Sequence, residues 1–190
     1  MKKLIVVLAG FLAASLSFSQ TVAQTSNTLN DPSSFFDVET DPLAYILDGY
    51  SLHVGYSKNK SRWNVGFVGF EYPENFNDNA GITARTNGLS LKWDYISPKL
   101  KGFYVGLQSD LSRLKLTSID DNTQVKTLFQ ATFGLRAGYR LMFGSENGFY
   151  LNAWAANIFN TKSDDVVVGN TAYEIPAYVI FPTVHLGWKF

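Results

Sequence analysis

The chain contains no cysteine. That excludes a disulfide framework, a thiolate metal site, a cysteine nucleophile and lipid attachment at an N-terminal cysteine. It carries no excess charge either, with 16 Lys and Arg against 16 Asp and Glu in 190 residues. Nucleic-acid binding depends on clustered positive charge, so that class of partner is excluded. Charged residues make up 17% of the chain, below the roughly 25% usual in soluble domains. Beyond the first residues, no apolar run approaches the ~18 residues of a membrane-spanning helix. Histidine is scarce, occurring only as His53 and His185. What the chain does have is ring and glycine: ten Tyr, fifteen Phe, four Trp and fifteen Gly. An exported domain without disulfides needs another source of stability, and a closed hydrogen-bonded sheet supplies one.

The N-terminus has the order of a secretory signal: Lys2 and Lys3, then an apolar stretch over residues 4–16, then small residues Ser17 and Ser19 around Phe18. The apolar stretch is too short to span a bilayer. The pattern predicts a signal peptide over residues 1–19 cleaved before Gln20, with cleavage after Ala23 as the alternative. Residues 20–34, rich in Thr, Ser, Asn and Gln, read as a polar leader. Residues 35–190 read as one domain.

From Tyr50 onward, apolar and polar residues alternate with period two, the strand signature. Such segments begin near Tyr50, Trp63, Gly88, Phe103, Phe129, Phe149 and Ile180. Residues 129–140 are the most informative. One face is Phe129, Ala131, Phe133, Leu135, Ala137 and Tyr139; the other is Gln130, Thr132, Gly134, Arg136, Gly138 and Arg140. Glycine and charge together on the second face suit the crowded interior of a small barrel, with the apolar face in lipid. The connections alternate in length. Those at 58–62, 97–102 and 143–148 are short; those at 73–84, 117–123 and 161–176 tend to be longer, and residues 166–175 could form a hairpin turning at Gly169-Asn170. Short turns belong to the periplasmic side of such a barrel. Beside them, on the apolar faces, stand Tyr56, Trp63, Tyr95, Phe103, Tyr139, Phe149, Trp188 and Phe190, an aromatic girdle at one membrane interface. Seven strands are counted this way. Barrels of this kind have an even number, so an eighth is expected within residues 35–47. There Asp41 and Pro42 look instead like a helix N-cap and first helical position. The expected fold is an all-β, transmembrane, antiparallel up-and-down barrel of about eight strands.

The final residues, His185-Leu186-Gly187-Trp188-Lys189-Phe190, resemble the C-terminal strand of outer-membrane β-barrels of Gram-negative bacteria, alternating and ending in Phe. The resemblance implies an integral outer-membrane location, recognition of that strand by the barrel assembly machinery, and outer-membrane lipid, lipopolysaccharide included, as surroundings. It does not single out a subfamily, and the class holds anchors, adhesins, pores and lipid enzymes.

Inside the expected barrel fall His53, Lys92, Asp94, Tyr104, Gln108, Asp110, Arg136, Arg140, Asn152, His185 and Lys189. Buried charges need partners, so these residues read as one polar network filling the lumen. His53 with Ser51 and nearby Asp48, or His185, could instead serve a lipid-modifying enzyme, although no nucleophile-elbow or zinc-helix motif occurs. A narrow pore for small solutes is a further alternative, and a soluble periplasmic barrel holding an apolar ligand is another. No cofactor or metal is expected. The acidic pairs Asp120-Asp121 and Asp164-Asp165 read as solvated loop residues, and Arg113 and Lys115 mark the outer ends, where they could meet lipopolysaccharide phosphates or act as interface anchors. The reading favoured is a non-enzymatic barrel with a structural or surface-interaction role. Mass spectrometry of the chain extracted from cell envelopes should find it starting at Gln20; a chain still carrying Met1 would remove the export reading.

Overall fold

The computed structural model describes residues 34–72, 81–97, 102–143 and 148–190. The expected signal peptide and, apart from Ser34, the polar leader lie outside these residues, as do parts of the connections at 73–84, 97–102 and 143–148. The elements in chain order are β1 (Phe35–Thr40), α1 (Pro42–Ile46), β2 (Tyr50–Lys58), β3 (Ser61–Tyr72), β4 (Ile82–Ile96), β5 (Phe103–Ser118), β6 (Val125–Met142), β7 (Gly148–Asn160), the short β8 (Val166–Val168) and β9 (Thr171–Tyr173), and β10 (Tyr178–Lys189).

Eight of these strands close into one antiparallel barrel, in the order β1-β10-β7-β6-β5-β4-β3-β2. Each barrel strand pairs with the next barrel strand in sequence, and β1 with β10 closes the ring, Asp37 opposite Lys189 and Thr40 opposite Leu186. The eight-stranded up-and-down barrel read from the sequence is therefore the observed fold. Closure leaves no sheet edge over most of the circumference, the condition for a sheet surrounded by hydrocarbon. β8 and β9 form a separate hairpin between β7 and β10, with Gly169 at φ 61° in its turn.

The side chains sort as hydrocarbon outside and charge inside. Phe133 and Leu135 are 57% and 64% exposed, whereas Arg136 on the inner face is 3% exposed. A water-soluble barrel has the opposite arrangement. At the short-turn end the outward rings pair across strands: Phe36 with Tyr56 at 5.0 Å, Trp63 with Trp93 at 6.1 Å and Phe103 with Tyr139 at 4.7 Å between centroids. Phe36 and Trp93 thus extend the band of rings named above.

Several boundaries differ from the sequence reading. The turn between β2 and β3 is only Asn59-Lys60, since Lys58 pairs with Ser61. Asn59 takes φ 56°, a left-handed conformation that Asn tolerates. Arg62, read as a turn residue, is consequently a strand residue pointing inward and fully buried. At the opposite end β4, β5 and β6 run past the alternating segments. There the inner face turns apolar, and Ile82, Ala84, Leu114 and Leu116 pack with Val166, Val168, Tyr173 and Ile175 of the hairpin region. The outer face becomes Arg85, Arg113 and Lys115, all exposed. Polarity on these strands has reversed relative to the rest of the barrel wall.

Residues 35–47 resolve into both candidates. Phe35–Thr40 is the eighth strand, and Asp41 caps α1 by accepting from the Leu43 N–H at 2.9 Å, with Pro42 in the first turn. Because β1 is short, residues 178–185 of β10 pair only with β7. α1 packs against β10, β2 and β3 in the place a longer β1 would occupy, held by Glu71 N–H donating to the Leu47 carbonyl at 2.9 Å. Pro182 lies in this stretch, where a strand has one neighbour and a missing N–H is tolerated.

Leu135→Arg places a cation at mid-height on the outer face. If that face contacts hydrocarbon, the substitution should destabilise the barrel by about 2–4 kcal/mol in lipid, read as a lower urea midpoint in vesicles, while the same change in detergent-free aqueous buffer has no folded reference to act on. An unshifted midpoint would argue against a lipid-facing Leu135.

Candidate functional site

The interior is organised around a column of acids that alternate on β1. Asp37, Glu39 and Asp41 sit at every second position, so all three point inward, and each is at most 5% exposed. Arg62 answers them from β3. Its Nε donates to Asp37 Oδ2 at 3.0 Å, a second nitrogen makes a short contact with Asp37 Oδ1, and the same guanidinium lies 3.0 Å from Glu39 Oε1 and 3.4 Å from Asp94 Oδ2. Four charged groups thus share one centre in a region screened from water, where pairing offsets much of the cost of desolvation.

Glu39 is the node with most partners. Its Oε1 accepts from the Asn152 amide at 2.9 Å and lies 2.9 Å from the Tyr150 hydroxyl, which is equally close to Asp37 Oδ1. Its Oε2 lies 3.1 Å from His185 Nδ1, and Arg140 approaches Oε1 at 3.8 Å. From Asn152 the network continues upward: Tyr104 donates to Asn152 Oδ1 at 2.8 Å and accepts from Arg136 at 2.9 Å. Arg136 Nε faces Asp94 Oδ1 at 3.3 Å, an ion pair without hydrogen-bond alignment. Trp154 carries two cations on its ring, Arg136 at 4.2 Å and Lys92 at 4.9 Å, the contact the indole face favours. Glycines make room for these groups. A Cβ on Gly66 would run into the His53 ring, one on Gly55 into Asp37 and Arg62, and one on Gly187 into the Tyr150 ring.

Every lumen residue named from the sequence has a definite place. His53, Lys92, Asp94, Tyr104, Gln108, Arg136, Arg140, Asn152 and His185 are buried inside. Asp110 is half-buried, accepting from Gln108 at 2.9 Å and Thr132 at 3.2 Å. Lys189 stands near the short-turn rim with its ammonium 4.3 Å from the Phe35 ring. Asp37, Glu39, Asp41, Arg62 and Tyr150 were missing from that list. The acids at 37, 39 and 41 do show period two in the sequence, and that spacing is the signal that could have found them. Of the girdle residues, Trp63, Tyr95, Phe103, Phe149, Trp188 and Phe190 are exposed on the outer face, with Tyr56 and Tyr139 partly covered.

The two histidines, separated by β1, are brought together with ring centroids 5.0 Å apart. A hydrolytic set is not assembled around them. Ser51 Oγ accepts the Asp41 N–H at 3.0 Å and so braces the start of α1. Asp48 lies in an exposed turn at φ 51°, where its carbonyl accepts from Arg85 at 3.0 Å. Thr183 donates to Asp41 Oδ2 at 2.8 Å, which ties β10 to the helix cap. Some buried polar atoms, among them Ser57 Oγ, Ser90 Oγ, the Asn64 amide and Trp154 Nε1, have no hydrogen-bond partner among protein atoms; such groups are the usual positions of internal water. Among the described residues no group of three or more acidic, His or Cys side chains is arranged to hold a metal. In the 119–124 loop, Asp121 Oδ1 accepts from the Thr123 hydroxyl at 2.6 Å and its N–H at 3.0 Å, and these bonds hold the carboxyl below the usual carboxylate range.

No protein-family model matches the chain, and no curated protein does. Solved structures similar to this chain include two bacterial proteins. Neisserial surface protein A shares 15% identity at a TM-score of 0.45, over 82% of this chain and 94% of that one. A major outer membrane protein from Thermus thermophilus shares 13% at a TM-score of 0.49, over 83% of this chain and all of that one. The closed ladder and inside-out polarity of this chain are themselves those of a small outer-membrane β-barrel.

Arg62→Met leaves Asp37, Glu39 and Asp94 without their shared counter-charge. Removing one partner of a buried ion pair costs about 3–5 kcal/mol, so the urea midpoint of the refolded barrel should drop sharply. Adding Glu39→Gln should recover part of the loss. A double variant no more stable than Arg62→Met alone would mean the two groups are not coupled.

Proposed function

We propose that this protein is an integral protein of the bacterial outer membrane with a structural or surface-interaction role, its lumen closed by a packed polar network. The observation that carries the reading is the burial of Arg62, Glu39, Asp37 and Asp94 at the centre, mutually paired, behind an outer face of exposed Phe, Leu, Val and Trp. An outer-membrane location follows from that polarity together with the signal-like N-terminus and the C-terminal strand ending in Phe190, which the barrel assembly machinery would read.

Three features favour a filled core over a pore. An eight-stranded barrel is only wide enough for side chains to occupy. The inward acids and bases balance, so the lumen has no charge bias that would select an ion. The hairpin region also packs an apolar cluster into the long-loop end. The enzyme alternative is disfavoured by Ser51 Oγ accepting from the Asp41 N–H, by Asp48 lying in an exposed turn, and by His185 lying 3.1 Å from Glu39 beneath the surface. Among the described residues at the long-loop end, the exposed segment 119–124 is available to partners.

Reconstituted into planar bilayers, the protein should give no current steps above baseline, and His53→Ala and His185→Ala should leave the acyl pattern of envelope lipid unchanged. Defined conductance steps would move the reading to a narrow pore. An altered acyl pattern in either variant, at equal protein level, would move it to a lipid-modifying enzyme.

A further inference from the structure

From the placement of basic residues on the outer wall, we infer that β4 and β5 carry a site for the phosphate of an outer-leaflet lipid, centred on Arg113 and Lys115 with Arg85 beside them. The inference rests on the membrane reading above and adds a specific ligand chemistry to it.

The first observation is height. Arg85 and Arg113 lie about ten residues along their strands from the girdle rings Tyr95 and Phe103, roughly 25 Å for tilted strands, which is the height of the apolar band. Toward the short-turn end from them the outer face is Leu91 and Leu111, both exposed. Above that level the inner face has turned apolar. The basic groups therefore stand where headgroups begin.

The second observation is register. Arg85 is directly opposite Lys115, and Arg113 is opposite Asn87. Like charges directly across a ladder repel, and an anion between them reverses the sign of that interaction. On the far side Lys115 faces Thr127 and Arg113 faces Phe129, so neither has an acid directly across from it. Arg85 does have one, Glu71 on β3, and it also donates to the Asp48 carbonyl. It is the flank of the site, and Arg113 and Lys115 are its centre.

The third observation is asymmetry. Basic residues that serve only as interface anchors would be spread around the barrel. Here the outward positions at the long-loop ends of β7 and β10 are Asn157, Phe159, Tyr178 and Ile180. Phe129, 77% exposed, stands directly across from Arg113, within reach of an acyl chain whose phosphate the basic groups hold. Phosphate over basic groups and hydrocarbon over Phe129 together describe a lipid rather than a free ion.

The test uses the full chain purified in neutral detergent and then offered lipid A, its dephosphorylated form, or phosphatidylcholine, with retained lipid read by native mass spectrometry. The wild type should hold lipid A in preference to the other two. Arg85→Gln/Arg113→Gln/Lys115→Gln should lose that preference by about a hundredfold, the scale set by three basic groups at an anionic surface. Lys58→Gln/Lys60→Gln, at the opposite end, should keep it, and so should Arg113→Lys. Heat-modifiable migration reports folding of each variant; if the triple variant does not fold, Arg113→Gln alone is read in the same way for a smaller loss. Equal retention of phosphorylated and dephosphorylated lipid overturns the site, as does full displacement of lipid A by inorganic phosphate. Flotation with phosphatidylcholine vesicles separates the two levels. A chain that floats but shows no phosphate preference loses the site and keeps the membrane reading, whereas a chain that does not float loses both.

Discussion

The ion cluster around Arg62 is the interaction on which the rest of the interior depends. A guanidinium with no solvent exposure would be prohibitively costly alone. It is tolerated because Asp37, Glu39 and Asp94 converge on it from two other strands. Asp37 and Glu39 are in turn bonded to Tyr150, Asn152 and His185, and Asp94 is paired with Arg136. The cluster joins β1, β3, β4, β6, β7 and β10, so it forms only when the ring has closed in the right register. A slip of one residue in β1 would turn Asp37 and Glu39 outward into the apolar band. Charge pairing thus does for this barrel what a hydrophobic core does for a soluble domain: it distinguishes the correct register from its neighbours.

The same sequence obeys two opposite burial rules along its length. Between the aromatic band and the level of Leu111, apolar residues face out and polar ones in. From the level of Arg85 and Arg113 onward, the inner face is Ile82, Ala84, Leu114 and Leu116 and the outer face of β4 and β5 carries Arg85, Arg113 and Lys115. One continuous ladder can do this because the backbone bonds are satisfied in either surroundings and only the side chains need to change. The change of rule is where the proposed membrane would end on the molecule. It also explains why the short β1 can be succeeded by a five-residue helix, whose own backbone bonds replace those a longer strand would have made.

These features bear on function by showing what the barrel has been built around. The lumen is occupied by groups committed to one another. Ser51, which sequence proximity linked to His53, belongs instead to the cap of α1. The histidines meet, yet the group nearest to His185 Nδ1 is Glu39, itself held by Arg62 and Asn152. Recognition by the exterior requires nothing inside to move.

Much was legible from the chain alone, for a physical reason: period-two alternation is a local property, and a barrel with lipid on one side and packed charge on the other imposes it on nearly every strand. Residues 129–140 therefore revealed both faces, and ring residues beside short turns revealed one interface. Strand limits were harder to see, because the polarity reversal in residues 82–87, 112–118 and 125–128 disguises strand as loop. β1 was ambiguous because an acid at every second position resembles neither an apolar face nor an ordinary core. What the tertiary structure alone decided was partnership. Arg62 and Asp37 are far apart in sequence, as are Glu39 and His185, and only ring closure brings β1 between β2 and β10. Alternation tells which way a side chain points; which other side chain it meets there depends on the register of strands that the local pattern does not encode.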